Sequence, residues 1–267
     1  MINGRGGKVL RENTLFGPIN KIQQAIDRLK VYEPPEGYYL AFSGGKDSIT
    51  IYKLAELAGV KFDAHYNVTT IDPPELTKFI KNEYPDVNWD RSNKTFLKEL
   101  VRRGFPNGRK RRWCCHEFKE QGGNDRFVLT GIRWEESVSR SNRKMVETCN
   151  KLAGKHYLHP IINWKESEVW EFIKLNNLKY CELYNKGQKR IGCLFCPMAN
   201  GESRKQDVIN YPKYVKAFIR AFEKRYQYGI DNKLDFSKRW KSGEDMFWWW
   251  MQNHREKLNK DQFVLFE

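Results

Sequence analysis

The amino-acid sequence predicts an α/β fold, a parallel sheet with helices on both faces, continued by a helical C-terminal extension. Two observations predict it. Short apolar runs alternate with helically periodic segments as far as Asn176, the order that builds βα units. Beyond Pro212 the strand signals stop, and apolar residues recur at helical spacing only. The expected division is a basic arm over residues 1–17, an α/β body over 18–200 and a helical, aromatic-rich extension over 201–267.

Each element has its own signal. The first dozen residues, rich in Gly, Arg and Lys, read as a mobile arm. A helix is expected from about Pro18, with Ile19, Ile22, Ile26 and Leu29 on one face. "YEPPEG" at 32–37 ends it, because proline lacks a donor and restricts the residue before it. Tyr38–Phe42 reads as an apolar strand, and Ile49 to about Ala58 as a helix closed by Gly59. Phe62, Ala64, Tyr66 and Val68 alternate as a strand does. Helices are expected from Pro73–Pro74, carrying Leu76, Phe79 and Ile80 inward, and over Lys94–Arg103. "RFVLTG" (126–131) and "HYLHPII" (156–162) read as further strands, and Glu166–Asn176 as a helix with Val169, Phe172 and Ile173 on one face. In the extension, Val215, Phe218, Ile219, Phe222 and Tyr226 form an apolar stripe, with Lys213, Lys216, Arg220 and Lys224 opposite. "FWWWM" (247–251) is expected on a helix packed back on the body.

Composition narrows the class. The 267 residues are 40% hydrophobic and 14% aromatic, enough for a packed core and too much for a disordered chain. The apolar runs are too short to span a bilayer, and the N-terminus lacks the apolar stretch of a signal peptide, so a cytoplasmic protein with no membrane partner is expected. A net charge of +15 favours polyanionic partners or phosphorylated ligands. Six cysteines stand at 114, 115, 149, 181, 193 and 196. In a reducing compartment such clustered cysteines read as metal ligands or reactive thiols.

Residues 43–48 read "SGGKDS" between a strand and a helix. A Gly-rich turn there aims backbone N–H groups at one point, where a phosphate can sit. Gly44 and Gly45 permit close approach, Lys46 adds a positive charge, and the Ser43 and Ser48 hydroxyls donate. Asp47 is unusual beside phosphate and points to Mg²⁺ or a ribose. The GxxxxGK[ST] pattern of ordinary P-loop ATPases is absent.

These residues resemble the PP-loop of the adenine nucleotide alpha-hydrolase-like superfamily, in particular the phosphoadenylyl sulfate (PAPS) reductase family. "TGIRWEESVSR" (130–140) resembles that family's second motif, carried by Gly131, Arg133, Glu136, Ser137 and Arg140. "HPIINWKESEVWEFIKLNNLKYCELYNKGQKRIGCLFCP" (159–197) resembles its third block. The resemblance covers roughly residues 20–200 and implies an adenine nucleotide held at the loop. Arg133 and Arg140 have the chemistry to hold phosphate or sulfate oxygens. Asp72, in "TTIDPPE" (69–75), stands where the family segment closes over the adenosine, although that segment's Thr-Gly is replaced here. Lys46, Asp47 and Arg133 are the expected catalytic residues.

Cys114 and Cys115 are adjacent, and Cys193 and Cys196 form CxxC before Pro197. Four thiolates suit zinc or an iron–sulfur cluster; a tandem pair is awkward around one zinc ion but suits the separated corners of a cubane. The pattern CC…CxxC also resembles the [4Fe–4S] branch of the same family, which implies a [4Fe–4S] cluster on these four residues. Cys149 and Cys181 read as inert thiols. Arg109, Lys110, Arg111 and Arg112 precede the tandem pair and form a candidate track for a polyanion.

The resemblance offers two reactions. In the reductases a cysteine in a C-terminal tail attacks the sulfur of the bound sulfonucleotide, and no cysteine follows Cys196 in this sequence, so that role would fall to Cys149 or Cys181. The favoured expectation is therefore ATP-pyrophosphatase chemistry with Mg²⁺, adenylating a nucleic acid (DNA or tRNA) for sulfur insertion, with a sulfur donor or reductant protein as partner. APS or PAPS reduction to sulfite is the alternative. A non-catalytic nucleotide- or cluster-binding subunit of a DNA-modification or defence system is a third reading, and oligomerisation is compatible with all three.

Overall fold

The computed structural model describes residues 10–14, 17–106, 112–148, 154–234 and 236–252. The chain forms two compact units that are not consecutive in sequence. The first comprises residues 1–68, 74–90 and 121–191; the second comprises 69–73, 91–120 and 192–267. Neither edge coincides with the expected divisions at 17 and 200. The tandem cysteines and the CxxC pair both belong to the second unit, with the C-terminal helices, and not to the unit that carries the phosphate loop.

The first unit opens with an antiparallel pair, β1 (Arg11–Thr14) and β2 (Gly17–Asn20), in register Arg11↔Asn20. This corrects two expectations: the end of the arm is ordered strand, and the helix begins three residues later than Pro18. The Asn20 side chain explains the second point. It accepts from Ile22 N (3.1 Å) and Gln23 N (3.3 Å), capping α1 (Lys21–Val31).

A six-stranded sheet follows, in the order β5–β4–β3–β6–β8–β7. It comprises β3 (Tyr38–Ala41), β4 (Phe62–Val68), β5 (Asn88–Arg91), β6 (Phe127–Leu129), β7 (Val146–Thr148) and β8 (His156–Leu158). Strands β4, β3, β6 and β8 run parallel, and β7 lies antiparallel on β8. Helices α2 (Lys46–Ala58), α3 (Pro74–Glu83) and α7 (Glu166–Leu175) connect or flank the strands. Leu40, Ile51, Leu54, Leu129, Leu158, Trp164 and Phe172 are buried in their shared core with α1. The α/β fold with a mostly parallel sheet is thus the one the sequence predicts.

Strands β5 and β7 carried no clear sequence signal: "NWDR" and "VET" are short and half polar. The expected strand over 156–162 stops at Leu158, because Pro160 cannot donate and Ile162 N bonds back to His159 O at 3.2 Å as a turn.

The second unit is helical: α4 (Phe96–Arg103), α5 (Trp113–Phe118), α8 (Gly201–Asn210), α9 (Pro212–Asp231) and α10 (Gly243–Met251). α9 packs against α4 and α10 through Phe96, Leu100, Phe218, Phe222, Phe247 and Trp250, all at most 4% exposed. The aromatic stripe of α9 packs into this core, as the periodicity predicted, and the "FWWWM" segment lies on a helix that buries Phe247 and Trp250 there. In the first unit the short helix α6 (Val138–Ser141) completes the loop after β6. Among the described residues no helix is long and apolar enough to cross a membrane.

Candidate functional site: a phosphate loop and four cysteines

The loop between β3 and α2 is shaped by contacts that glycine alone permits. Gly44 has φ +69°, and a Cβ there would stand 2.8 Å from Leu76 and Ile80 of α3. Gly45 ends in extended backbone without a side-chain cap, so the first-turn amides of α2 face outward from the helix. Lys46 N donates to the Tyr184 hydroxyl at 2.9 Å. Ser43 Oγ donates to Ser48 Oγ at 3.2 Å, and Ser48 Oγ donates to Gly45 O at 2.9 Å, closing the turn internally. A helix N-terminus of this kind attracts anions through its unpaired N–H groups and its dipole.

Charge is arranged tightly around the turn. Lys46 is 5% exposed; its Nζ donates to Lys189 O at 3.0 Å and lies 3.3 Å from Glu166 Oε1. Asp47 Oδ1 accepts from Arg133 Nε at 2.7 Å. Arg133, 3% exposed, also reaches Glu135 Oε2 at 3.1 Å and Trp164 O at 3.4 Å. Burial works to lower the Arg133 pKa, but the charge and hydrogen bond of Asp47, with Glu136 and Glu135, outweigh it and raise it. Glu136 accepts from Arg133 N at 2.9 Å and pairs with Arg140. Ser137 Oγ caps α6 through Arg140 N at 3.3 Å.

The second motif therefore folds onto the loop. At its contact stands Gly131, where a Cβ would meet Asp47 Cβ at 2.8 Å and Asp47 C at 3.0 Å. Ser43, Gly44, Gly45, Lys46, Asp47, Ser48, Gly131 and Arg133 come together here, with Glu136, Ser137 and Arg140 holding the motif's shape. Both arginines are engaged by carboxylates, Arg133 by Asp47 of the loop and Arg140 by Glu136 within the motif. Asp72 belongs to the second unit, where its carboxylate accepts from Thr69 N at 3.0 Å. Tyr184, Glu166 and Lys189 are loop neighbours that sequence reasoning missed. The aromatic of "ELYNKG" was their one available signal.

Behind the motif, Thr130 Oγ1 lies 2.6 Å from Nδ1 of the fully buried His159. Burial, then Arg143, pushes the His159 pKa down to about 4, against the opposing pull of Glu147.

In the second unit Cys114, Cys115, Cys193 and Cys196 are free and half-buried. Within the tandem pair the hydrogen bond between the thiols lowers the Cys115 pKa to about 6 and raises that of Cys114, which burial and the charges of Cys115, Cys193 and Cys196 raise further. Burial raises Cys193, whose Sγ lies 3.5 Å from Thr69 Oγ1. The CxxC turn is held by Leu194 N→Ile71 O (2.9 Å) and Phe195 N→Asp207 Oδ2 (2.9 Å), with Phe195 at φ +57°. Two cations belong to this cluster. The charge of Cys193 raises the Lys119 pKa, and Arg204, 2% exposed, feels Cys196 while burial lowers its own pKa to about 10. Among the described residues no three His, Cys, Asp or Glu side chains are grouped to hold a single metal ion. Four free thiols are a donor set of the chemistry that holds either zinc or an iron–sulfur cluster. Arg109, Lys110, Arg111 and Cys149 lie outside the described residues; Arg112 is exposed. Cys181 is fully buried, and burial raises its thiol pKa.

A Gly-rich strand–helix turn beside a parallel sheet is clasped by a Gly-x-Arg-x-x-Glu-Ser loop. A description of the phosphoadenosine phosphosulfate reductase domain matches residues 37–199, and the chain belongs to that family. An uncharacterised protein of Methanocaldococcus jannaschii is 30% identical over 212 residues, covering 75% of this chain and 51% of that protein. The adenosine 5'-phosphosulfate reductase of Oceanobacillus iheyensis is 29% identical over 152 residues, covering 54% of this chain and 61% of the relative. The chain thus spans about half to three fifths of these relatives. The crystal structure of phosphoadenylyl-sulfate reductase from Candida auris, a phosphate complex, superposes with a TM-score of 0.48 at 19% identity, over 64% of this chain and 87% of that one.

Proposed function

We propose that the chain binds MgATP at the SGGKDS loop and adenylates a nucleic acid for sulfur insertion, with a [4Fe–4S] cluster on Cys114, Cys115, Cys193 and Cys196. In the first step an acceptor oxygen attacks the α-phosphorus. The bond to the bridging oxygen breaks, and pyrophosphate leaves with the electron pair. The amides at the start of α2 and Lys46 stabilise the charge that develops on the leaving group. Asp47, held by Arg133, presents its second oxygen beside Lys46 Nζ at 3.8 Å, where a Mg²⁺-bound phosphate would meet it. A sulfur nucleophile from a donor protein then displaces AMP. The cluster would supply a site for binding or activating that sulfur.

The observation that carries this reading over sulfonucleotide reduction is the state of Cys181. Outside the four clustered thiols it is the one cysteine among the described residues, and it is fully buried with a raised pKa, unsuited to nucleophilic attack. The basic excess also suits a nucleic-acid acceptor. A second reading, release of sulfite from APS or PAPS, draws its support from the family and the named reductase relative. Pyrophosphate release from MgATP that depends on added DNA or tRNA would support adenylation. Sulfite release from APS with a thiol reductant, without pyrophosphate, would replace it with the reductase.

A further inference from the structure

The second unit holds 24 Lys and Arg against 14 Asp and Glu, so +10 of the chain's +15 lies there. Three of its cations are neutralised locally: Arg102 and Arg103 sit on Glu99, and Lys94 on Glu117. Helix α9 gathers four others into one row. Lys213, Lys216, Arg220 and Lys224 are exposed, and among the described residues none lies within 4.0 Å of a carboxylate oxygen. At 100° per residue they fall within one arc of about 80°, and at 1.5 Å per residue they extend over about 16 Å.

The two acidic residues of α9 make hydrogen bonds to uncharged donors and no ion pair with this row. Glu223 Oε1 accepts from Glu244 N at 2.8 Å, at the first turn of α10. Asp231 Oδ1 accepts from Gln227 Nε2 at 2.8 Å. Arg225, the remaining cation of α9, turns inward to Val101 O and Arg102 O, which leaves the outer row to the other four. The opposite face, with Val215, Phe218 and Phe222, is core, so the helix cannot rotate to present another side.

We infer that this row is a docking surface for a nucleic-acid backbone, with Lys213, Lys216, Arg220 and Lys224 contacting successive phosphates. A rigid row of unpaired cations suits a polymer with regularly spaced charges and carries no base-reading geometry, so recognition here is of the backbone. The inference deepens the acceptor half of the proposed function and rests on it for its purpose, but binding without ATP tests it separately from turnover.

The test uses the full chain and fluorescently labelled 20-nucleotide single strands of DNA and RNA, with affinity measured from 50 to 200 mM salt. Each phosphate contact to a single strand contributes about 0.7 to the slope of log K against log salt. Lys213→Gln/Lys216→Gln/Arg220→Gln/Lys224→Gln should lower the slope by about 3, so that wild type loses about 50-fold more affinity than the variant across that range. The control removes the same charge from exposed lysines of the first unit, Lys30→Gln/Lys61→Gln/Lys78→Gln/Lys81→Gln, and should leave the slope unchanged. Preference for DNA or RNA names the acceptor and supports the surface either way. Three results would overturn it: no wild-type binding at 50 mM salt, an equal effect of the control, or competition by polyglutamate as strong as by polynucleotide of equal charge. Pyrophosphate release that survives in the quadruple variant would leave the proposed reaction standing without this surface.

Discussion

Replacing Arg133 by Met separates a positioning arginine from a phosphate ligand. The change keeps the unbranched stem of the side chain as far as the position of Nε and removes its charge and donors. Asp47 then loses its 2.7 Å partner, Glu135 its 3.1 Å partner and Trp164 O a long donor. Breaking a fully buried pair costs about 3–5 kcal/mol. Here Arg133 is 3% exposed, but Asp47 and Glu135 are 23% and 49% exposed, so water recovers part of that loss. The expected destabilisation is about 2–3 kcal/mol. Urea unfolding of Arg133→Met, Asp47→Asn and the double variant forms a cycle, and the structure predicts a coupling of at least about 1 kcal/mol. MgATP affinity completes the experiment. If Arg133 acts through Asp47, adding Arg133→Met to Asp47→Asn causes little further loss. Additive stability effects, within about 0.5 kcal/mol, together with additive losses of affinity would refute the positioning role.

Three further predictions follow from the same geometry. Gly131→Ala forces a Cβ against Asp47 at 2.8 Å and should cost about 1–3 kcal/mol, with nucleotide binding weakened more than by Gly192→Ala, where a Cβ meets nothing within 4 Å; equal affinities would contradict the clasp. His159, neutral in the folded chain with its pKa lowered to about 4, binds its proton more readily unfolded, so it contributes stability above the unfolded value of about 6.5 that is lost as pH falls towards 4. The loss approaches about 3 kcal/mol, and His159→Asn should flatten that part of the pH–stability curve. Protein prepared anaerobically should contain iron and acid-labile sulfide that Cys193→Ser removes and Cys181→Ser retains; equal retention in both would dissociate the CxxC pair from a cluster.

The α/β fold was legible because its central strands and helices are strongly patterned: Phe62–Val68 alternates, and "SGGKDS" sits where a strand must turn into a helix. The loop was legible for the same local reason, whereas the Gly131–Arg140 motif was legible through its resemblance to the family's second motif. What escaped depends on distant contacts. Tyr184 and Glu166 reach Lys46 from more than a hundred residues away, and no local pattern announces that. The engagement of Arg133 by Asp47 was likewise hidden, since an arginine in a motif reads the same whether it faces phosphate or carboxylate. The division into units was missed because the second unit is assembled from three separate segments, of which 69–73 is five residues long. Strands β5 and β7 were missed because they are short and half polar, with register set by their neighbours.

The identity of the nucleotide tests the central claim most directly. Competition among MgATP, APS and PAPS for anaerobically prepared protein should show a clear preference for MgATP, as expected of a loop that adenylates an acceptor. A clear preference for APS or PAPS would contradict adenylation and make the protein a sulfonucleotide reductase.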